Sequence, residues 1–334
     1  MAYLTAAEVV AHPAYKHLDW NLPPTTSGTT PVAVNRRGGP INLYYQIHGN
    51  GPTKLVFIMG LNAVHSDWKR QTKYFAHGDS DQYSVLVFDN RGVGKSDQPI
   101  SYYSTSEMAQ DVLDLLVHVK WIDLSAPPTR TINVIGASMG GMISQELAML
   151  IPDRLASLTL CCTAPRLERT APFLENIRER AEMFIPRKMD AELDRLAHSL
   201  FPDDFLALPD DEHDDPAKNF PTKRDRFAAG RLRKADEPDA FTKKGFLMQI
   251  VACFFHKKTA AQLKTLGDRV GRERIAVLHG TVDRMLTFHH GELLNKEIGE
   301  GILYKVWEGS GHMLPWEKEQ EFNELVQGLV QRCT

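Results

Sequence analysis

Cysteine is scarce in this chain: four in 334 residues, at Cys161, Cys162, Cys253 and Cys333. That number and spacing exclude a disulfide framework and give none of the paired spacings of a zinc site. Adjacent Cys161 and Cys162 fall at a strand end and point to opposite faces, so no bridge between them is expected. No apolar run reaches the ~18 residues that a membrane span needs. The start, MAYLTAAEVVAHPAYKHLDW, lacks the basic residues and long apolar stretch of a secretory signal. Positive charge is not in excess: 39 Lys and Arg against 42 Asp and Glu leave a formal net charge of −3. Nucleic acid and polybasic membrane contacts are therefore not expected. There is no repeat and no low-complexity tract. What remains, 43% hydrophobic and 24% charged residues, is ordinary globular composition. The chain reads as a soluble, cytoplasmic protein with a core large enough to need no staples.

Residues 1–40 read as an N-terminal arm: a short helix from Thr5 to His12, then a Pro/Thr/Ser/Gly-rich passage ending in the turn signal Gly38-Gly39-Pro40. From 41 onward strands and helices alternate. Asn42 to Ile47, Lys54 to Met59, Ser84 to Phe88, Thr131 to Ile135 and Leu155 to Cys162 read as strands. Helices are expected over 66–77, 106–121 and 139–150. In the second of these Met108, Val112, Leu115, Leu116 and Val119 recur at steps of three and four. Short apolar runs separated by helices indicate parallel strands buried on both faces. The expected fold class is α/β, a mostly parallel central sheet flanked by helices. The alternation stops near 164, and 165–258 is helical and highly charged. Strand signals resume at Arg274 to Leu278 and Ile302 to Trp307, with helices around 285–298 and 315–331. The domain reading is a core of 41–164 and 259–334 with a helical cap or lid, 165–258, inserted in it.

The sharpest chemical signal is Ile135-Gly136-Ala137-Ser138-Met139-Gly140-Gly141, set between a strand and a helix. A serine on such a turn projects its hydroxyl above the sheet, while the small residues let neighbouring backbone approach. A hydroxyl is a weak nucleophile without a base, and the base needs an orienting carboxylate. The chain offers both after late strands: Asp283 in His279-Gly280-Thr281-Val282-Asp283, and His312 in Gly309-Ser310-Gly311-His312. Backbone N–H groups of Leu61, after the strand 54–59, and of Met139 are the expected oxyanion donors. His279 reads as structural, and His289-His290 as helical and on the surface. The loop Asp89-Asn90-Arg91-Gly92-Val93-Gly94-Lys95-Ser96 ends like a phosphate loop, but Asp89 stands where that motif needs glycine. It reads as a structural turn. The acidic stretch Pro209 to Pro216 reads as a solvated cap loop, with no periodic ligand spacing for a metal. Phe246 and Ile250 lie on an apolar helical stripe, 246–255, which suits packing, the roof of a substrate pocket or a homodimer contact. Asn62, beside Leu61, joins them as a candidate substrate contact.

The Asp-x-Arg-Gly-x-Gly-x-Ser loop, the Gly-Ala-Ser-Met-Gly-Gly turn, the Gly-x-x-Asp loop and the Gly-Ser-Gly-His loop, in this order, resemble the α/β-hydrolase fold superfamily. The likeness is to its fold-1 type with a helical cap, over roughly 40–164 and 259–334. It implies Ser138 as nucleophile, His312 as general base and acid, Asp283 as orienting carboxylate, and Leu61 and Met139 as oxyanion donors. Two positions depart from many members, which have His-Gly where this chain has Met59-Gly60 and histidine where it has Ala137. Neither supplies a triad side chain. The implied reaction is esterase- or lactonase-like hydrolysis of a small, partly apolar substrate through an acyl-enzyme, with no cofactor and no metal. Epoxide hydrolases and haloalkane dehalogenases attack with a carboxylate, and Ser138 argues against both. C–C bond hydrolysis, thioester hydrolysis, acyl transfer and small-molecule reception remain open at the level of sequence.

Overall fold

The computed structural model describes residues 3–78, 81–168 and 187–333. Eight strands form one sheet: β1 Thr26–Val32, β2 Ile41–His48, β3 Thr53–Ile58, β4 Tyr83–Phe88, β5 Ile132–Ala137, β6 Leu155–Cys161, β7 Ile275–Gly280 and β8 Leu303–Trp307. Their order is β1-β2-β4-β3-β5-β6-β7-β8. β1 and β2 pair antiparallel, as do β2 and β4; every other neighbour is parallel.

The central strands β3 to β7 are buried on both faces because they are rich in apolar residues. On one face Val56, Ile58, Leu86, Phe88, Val134, Leu158 and Val277 pack with side chains of helices Thr105–His118, Met139–Leu150, Ala260–Val270 and Phe288–Ile298. The alternate residues Leu55, Phe57, Val85, Val87, Ile135 and Leu278 face Trp68, Phe75, Phe322 and Leu329 on the other. This is the period-2 division of a sheet covered on both sides. Helix Thr105–His118 begins where the sequence dictates, at a capping box of Ser104 and Glu107.

The sequence reading places no strand before 41, yet Thr26–Val32 is the sheet's edge strand. Its composition, TSGTTPV, hides it: Gly28 and Pro31 interrupt the pattern, and an edge strand can tolerate both. Residues 3–22 lie elsewhere. Val9, Ala14 and Leu18 share an apolar cluster with Leu193, Phe220, Ala228 and Leu232 of the segment between β6 and β7. Leu4 N–H donates to Asp225 Oδ1 at 3.0 Å, and Arg224 returns a bond to Leu4 C=O at 2.9 Å.

That segment is helical where described, with helices Met189–Leu200, Asp203–Ala207, Lys223–Ala235 and Lys243–Phe255. The expected helical character of 169–186 lies outside the described residues. The acidic stretch is only in part the solvated loop expected of it: Asp211, Asp214 and Asp215 are exposed, while Asp210 and Glu212 are enclosed. Asp210 pairs with Arg226 at 2.7 Å, and Glu212 is enclosed between Lys69 and Arg70 while accepting from Trp20 Nε1 at 2.8 Å. Burial would raise the Glu212 carboxyl, but the adjacent Arg70, Lys69 and Arg226 charges win and hold it down at about 2. Among the described residues no helix is long and apolar enough to cross a membrane.

Candidate active site

All strands from β4 to β8 run parallel, so the loops after β3, β5, β6, β7 and β8 leave the same edge of the sheet. Those loops carry Leu61, Ser138, Cys162, Asp283 and His312. Ligand sites of open α/β sheets lie at this edge.

Ser138 follows β5 directly and precedes helix Met139–Leu150, with φ 56° and ψ −121°. A residue with a β-carbon avoids that region unless its surroundings impose it. Here they do: Ser138 N–H donates to Cys161 C=O at 2.9 Å, and its own carbonyl accepts from Thr163 Oγ1 at 2.7 Å. The glycines leave room for the turn. A β-carbon at Gly136 would stand 2.2 Å from Ser144 Oγ, and one at Gly140 only 2.0 Å from Ile58 O.

Asp283 and His312 are joined by a 2.7 Å bond from His312 Nδ1 to Asp283 Oδ2. The other carboxylate oxygen accepts from the N–H groups of Met285 and Leu286, at 2.8 and 2.9 Å, so the carboxylate cannot rotate away. Burial opposes its charge, yet the His312 charge and hydrogen bond and the nearby His279 ring hold it below the usual carboxylate range. For His312 the balance has the same direction: burial lowers the ring's pKa, and the Asp283 charge and hydrogen bond raise it above the ordinary value. With Nδ1 so committed, Nε2 has no partner among the described residues, and neither has Ser138 Oγ. Each is free for the other or for a substrate. Exposure falls along the series, from half-buried Ser138 to His312 at 7% and Asp283 at 4%.

β3 lies beside β5, with Ile58 paired to Gly136, which brings the 60–63 loop to Ser138. A β-carbon on Gly60 would be 3.6 Å from Ser138 Oγ. Among the described residues the N–H groups of Leu61 and Met139 have no acceptor, as oxyanion donors require. Asn62 has φ 55°, and its N–H is bound by Gln249 Oε1 at 2.8 Å. Phe246 is half-buried and Ile250 buried, both on the helix that carries Gln249.

Several neighbours escape sequence reasoning. Glu317 accepts from Gly311 N–H at 2.7 Å and Met313 N–H at 3.0 Å, bracketing His312. Burial chiefly pushes its carboxyl up to about 7, against the pull of those two bonds. His312 N–H donates to Leu200 C=O at 2.8 Å, and Arg284 donates to the carbonyls of His198 and Phe201 at 2.7 and 3.1 Å. Both loops thus rest on the end of helix Met189–Leu200. The only signal in the sequence belongs to Gln249, a polar residue amid apolar ones; Glu317 opens the charged run Glu317-Lys318-Glu319-Gln320-Glu321 and carries none. Cys162 Sγ lies within 4.8 Å of the Asp283 oxygen and His312 nitrogen. Burial pushes the Cys162 thiol's pKa up, and both Asp283 oxygens accept hydrogen bonds from His312, Met285 and Leu286.

His279 is buried beside this pair, its Nε2 donating to Leu286 C=O at 2.8 Å. His290 corrects an expectation: it is 4% exposed and accepts from Glu168 N–H, while His289 stays at the surface. The 89–96 loop is a turn, as expected. Asp89 accepts from His65 and Lys95 N–H, Arg91 pairs with Asp111, and Lys95 lies over the Tyr44 ring at 4.6 Å.

A family model described as alpha/beta hydrolase fold matches residues 54–319, most of the chain and every loop described above. The chain belongs to the alpha/beta hydrolase fold family. Its sequence is 33% identical, over 113 residues, to 3-oxoadipate enol-lactonase 2 of Acinetobacter baylyi, covering 34% of this chain and 38% of that protein. The chain spans half or less of the length of the first curated relatives that it matches. A longer, more distant likeness is to 2-hydroxy-6-oxononadienedioate/2-hydroxy-6-oxononatrienedioate hydrolase of Paraburkholderia xenovorans, 22% identical over 88% of this chain and 92% of that one. Among solved structures, a thermophilic esterase from Thermogutta terrifontis superposes with a TM-score of 0.67, at 19% identity, over 92% of this chain and 99% of that one. At that identity the likeness shows the fold.

Proposed function

We propose that this chain is a serine hydrolase acting on carboxylic esters or lactones of small, partly apolar substrates. One observation carries the reading: a serine held at φ 56° shares a sheet edge with a buried aspartate–histidine pair joined at 2.7 Å. Ser138 attacks the carbonyl while His312 takes its proton. The Leu61 and Met139 N–H groups receive the oxyanion. His312 then protonates the leaving alcohol and activates the water that releases the acid, and Asp283 fixes its tautomer and stabilises its charged form. The relatives include an enol-lactonase and the structural neighbours an esterase, which supports ester chemistry. In this reading 165–258 is a cap, and Phe246, Ile250 and the Asn62 side chain are contacts for the apolar part of the substrate.

The test is turnover on a panel of short-chain aryl esters and lactones by the wild type and by Ser138→Ala and Asp283→Asn. Wild-type turnover is expected, with Asp283→Asn lower by about 10⁴-fold because the wrong tautomer is then permitted. Full activity of folded Ser138→Ala would overturn the assignment.

A further inference from the structure

We propose that Gln249 is a positioning residue for the oxyanion hole, reaching in from the helical insertion to fix the peptide that follows Leu61. This rests on the serine hydrolase reading. Gln249 is fully buried, at 0% exposure, on helix Lys243–Phe255. Its Oε1 accepts from Asn62 N–H at 2.8 Å and its Nε2 donates to Arg91 C=O at 2.9 Å. The orientation of the amide is fixed by those partners, since one can only donate and the other only accept. Arg91 is anchored in turn by paired bonds to Asp111. The helix comes close enough for this reach because Gly245 meets Gly92, where a β-carbon would fall 2.0 Å from Gly92 O. Asn62 is a non-glycine residue at φ 55°, and Gly60 lies against Ser138. Gln249 thus takes up the Asn62 N–H and holds the left-handed turn. The preceding Leu61 N–H is left without a protein acceptor beside Ser138. Remove the amide and the Asn62 N–H must find another acceptor, which turns the Leu61 peptide with it.

The experiment compares the rate of Ser138 phosphonylation by a fluorophosphonate, and kcat and KM on an aryl ester, in four proteins. Gln249→Met keeps the shape and loses both bonds; Gln249→Glu keeps an acceptor for Asn62. Thr242→Val removes the cap of the same helix and its bond to Gln98, leaving the 60–63 loop untouched. A displacement of about 1 Å at a reacting centre costs about 10²-fold. Gln249→Met is therefore expected to lose about that factor in phosphonylation and in kcat, with KM and the acid limb of the pH profile unmoved. Gln249→Glu is expected to recover most of the rate, and Thr242→Val to keep it. Should Gln249→Met fail to fold, Gln249→Asn, one methylene too short to span both partners, replaces it with the same expected loss. Wild-type rates in folded Gln249→Met or its Asn replacement, or equal losses in these and Thr242→Val, would overturn the proposal while leaving the serine hydrolase standing. A wild type that takes no phosphonyl group would remove the reading and the proposal together.

Discussion

At Ser138 the backbone is held where a β-carbon is unfavourable, while its bond to the Cys161 carbonyl and the one it accepts from Thr163 keep it there. Ser138→Gly should therefore be more stable to urea than Ser138→Ala, although both lack the proposed nucleophile. The expected gap is about 1 kcal/mol, the β-carbon penalty less glycine's greater chain entropy. Equal midpoints would mean that the turn is not strained. The pKa directions give a second prediction. On the proposed mechanism His312 must be neutral to act as a base, and its pKa is raised, so kcat/KM should climb with pH through a midpoint above the ordinary value of about 6.5. The linked stability has the opposite sense: the His312 contribution is present below the unfolded-chain value and lost as pH rises through the folded one. Asp283, with its pKa lowered, contributes above its unfolded value and loses that contribution as pH falls. Glu317 is raised to about 7, so its ionisation costs stability as pH rises from its unfolded value toward 7. Urea midpoints of Glu317→Gln between pH 5 and 8 should lack this fall; an unchanged pH dependence would show that another group titrates there.

Helix Met139–Leu150 leaves no room for an added atom where it meets the end of β3. Gly140→Ala would drive a β-carbon into the carbonyl of Ile58, at the end of β3. Backbone cannot yield there without moving the 60–63 loop, so this variant should melt lower and lose activity together. A variant with unaltered melting and rate would refute the close packing of helix Met139–Leu150 on the sheet. At this scale the sequence is informative where periodicity and burial agree. Buried strands such as KLVFIM and SVLVF announce themselves, and so does helix Thr105–His118 with its apolar repeat. β1 does not, because an edge strand with Gly28 and Pro31 carries no apolar pattern. The loops with Ser138, Asp283 and His312 are legible because each follows a readable strand. Gln249 and Glu317 are not, since their partners are backbone groups, far along the chain for Gln249 and four and six positions earlier for Glu317, and nothing in a linear sequence marks a backbone N–H as needing an acceptor.

For the molecule as a whole, residues 3–22 and the helical segment between β6 and β7 pack as one layer. Residues 3–22 share an apolar cluster with that segment, and Trp20 sits against Lys69 and Arg70 of the core, at 4.7 and 5.6 Å from its ring. Deleting residues 1–22 should expose Leu193, Phe220 and Leu232, increase binding of an apolar dye and reduce turnover by loosening helix Met189–Leu200, on which the His312 loop rests. A truncated protein with unchanged dye binding would show the arm to be an appendage. Composition gave no hint of this, since the partners of the arm's apolar residues lie some two hundred positions away. The central claim is an activated Ser138, and intact-mass analysis after fluorophosphonate treatment tests it most directly. One phosphonyl adduct on the wild type, absent from Ser138→Ala and His312→Ala, is the predicted result. A folded wild type that takes up no adduct, or an adduct that persists in Ser138→Ala, would contradict it.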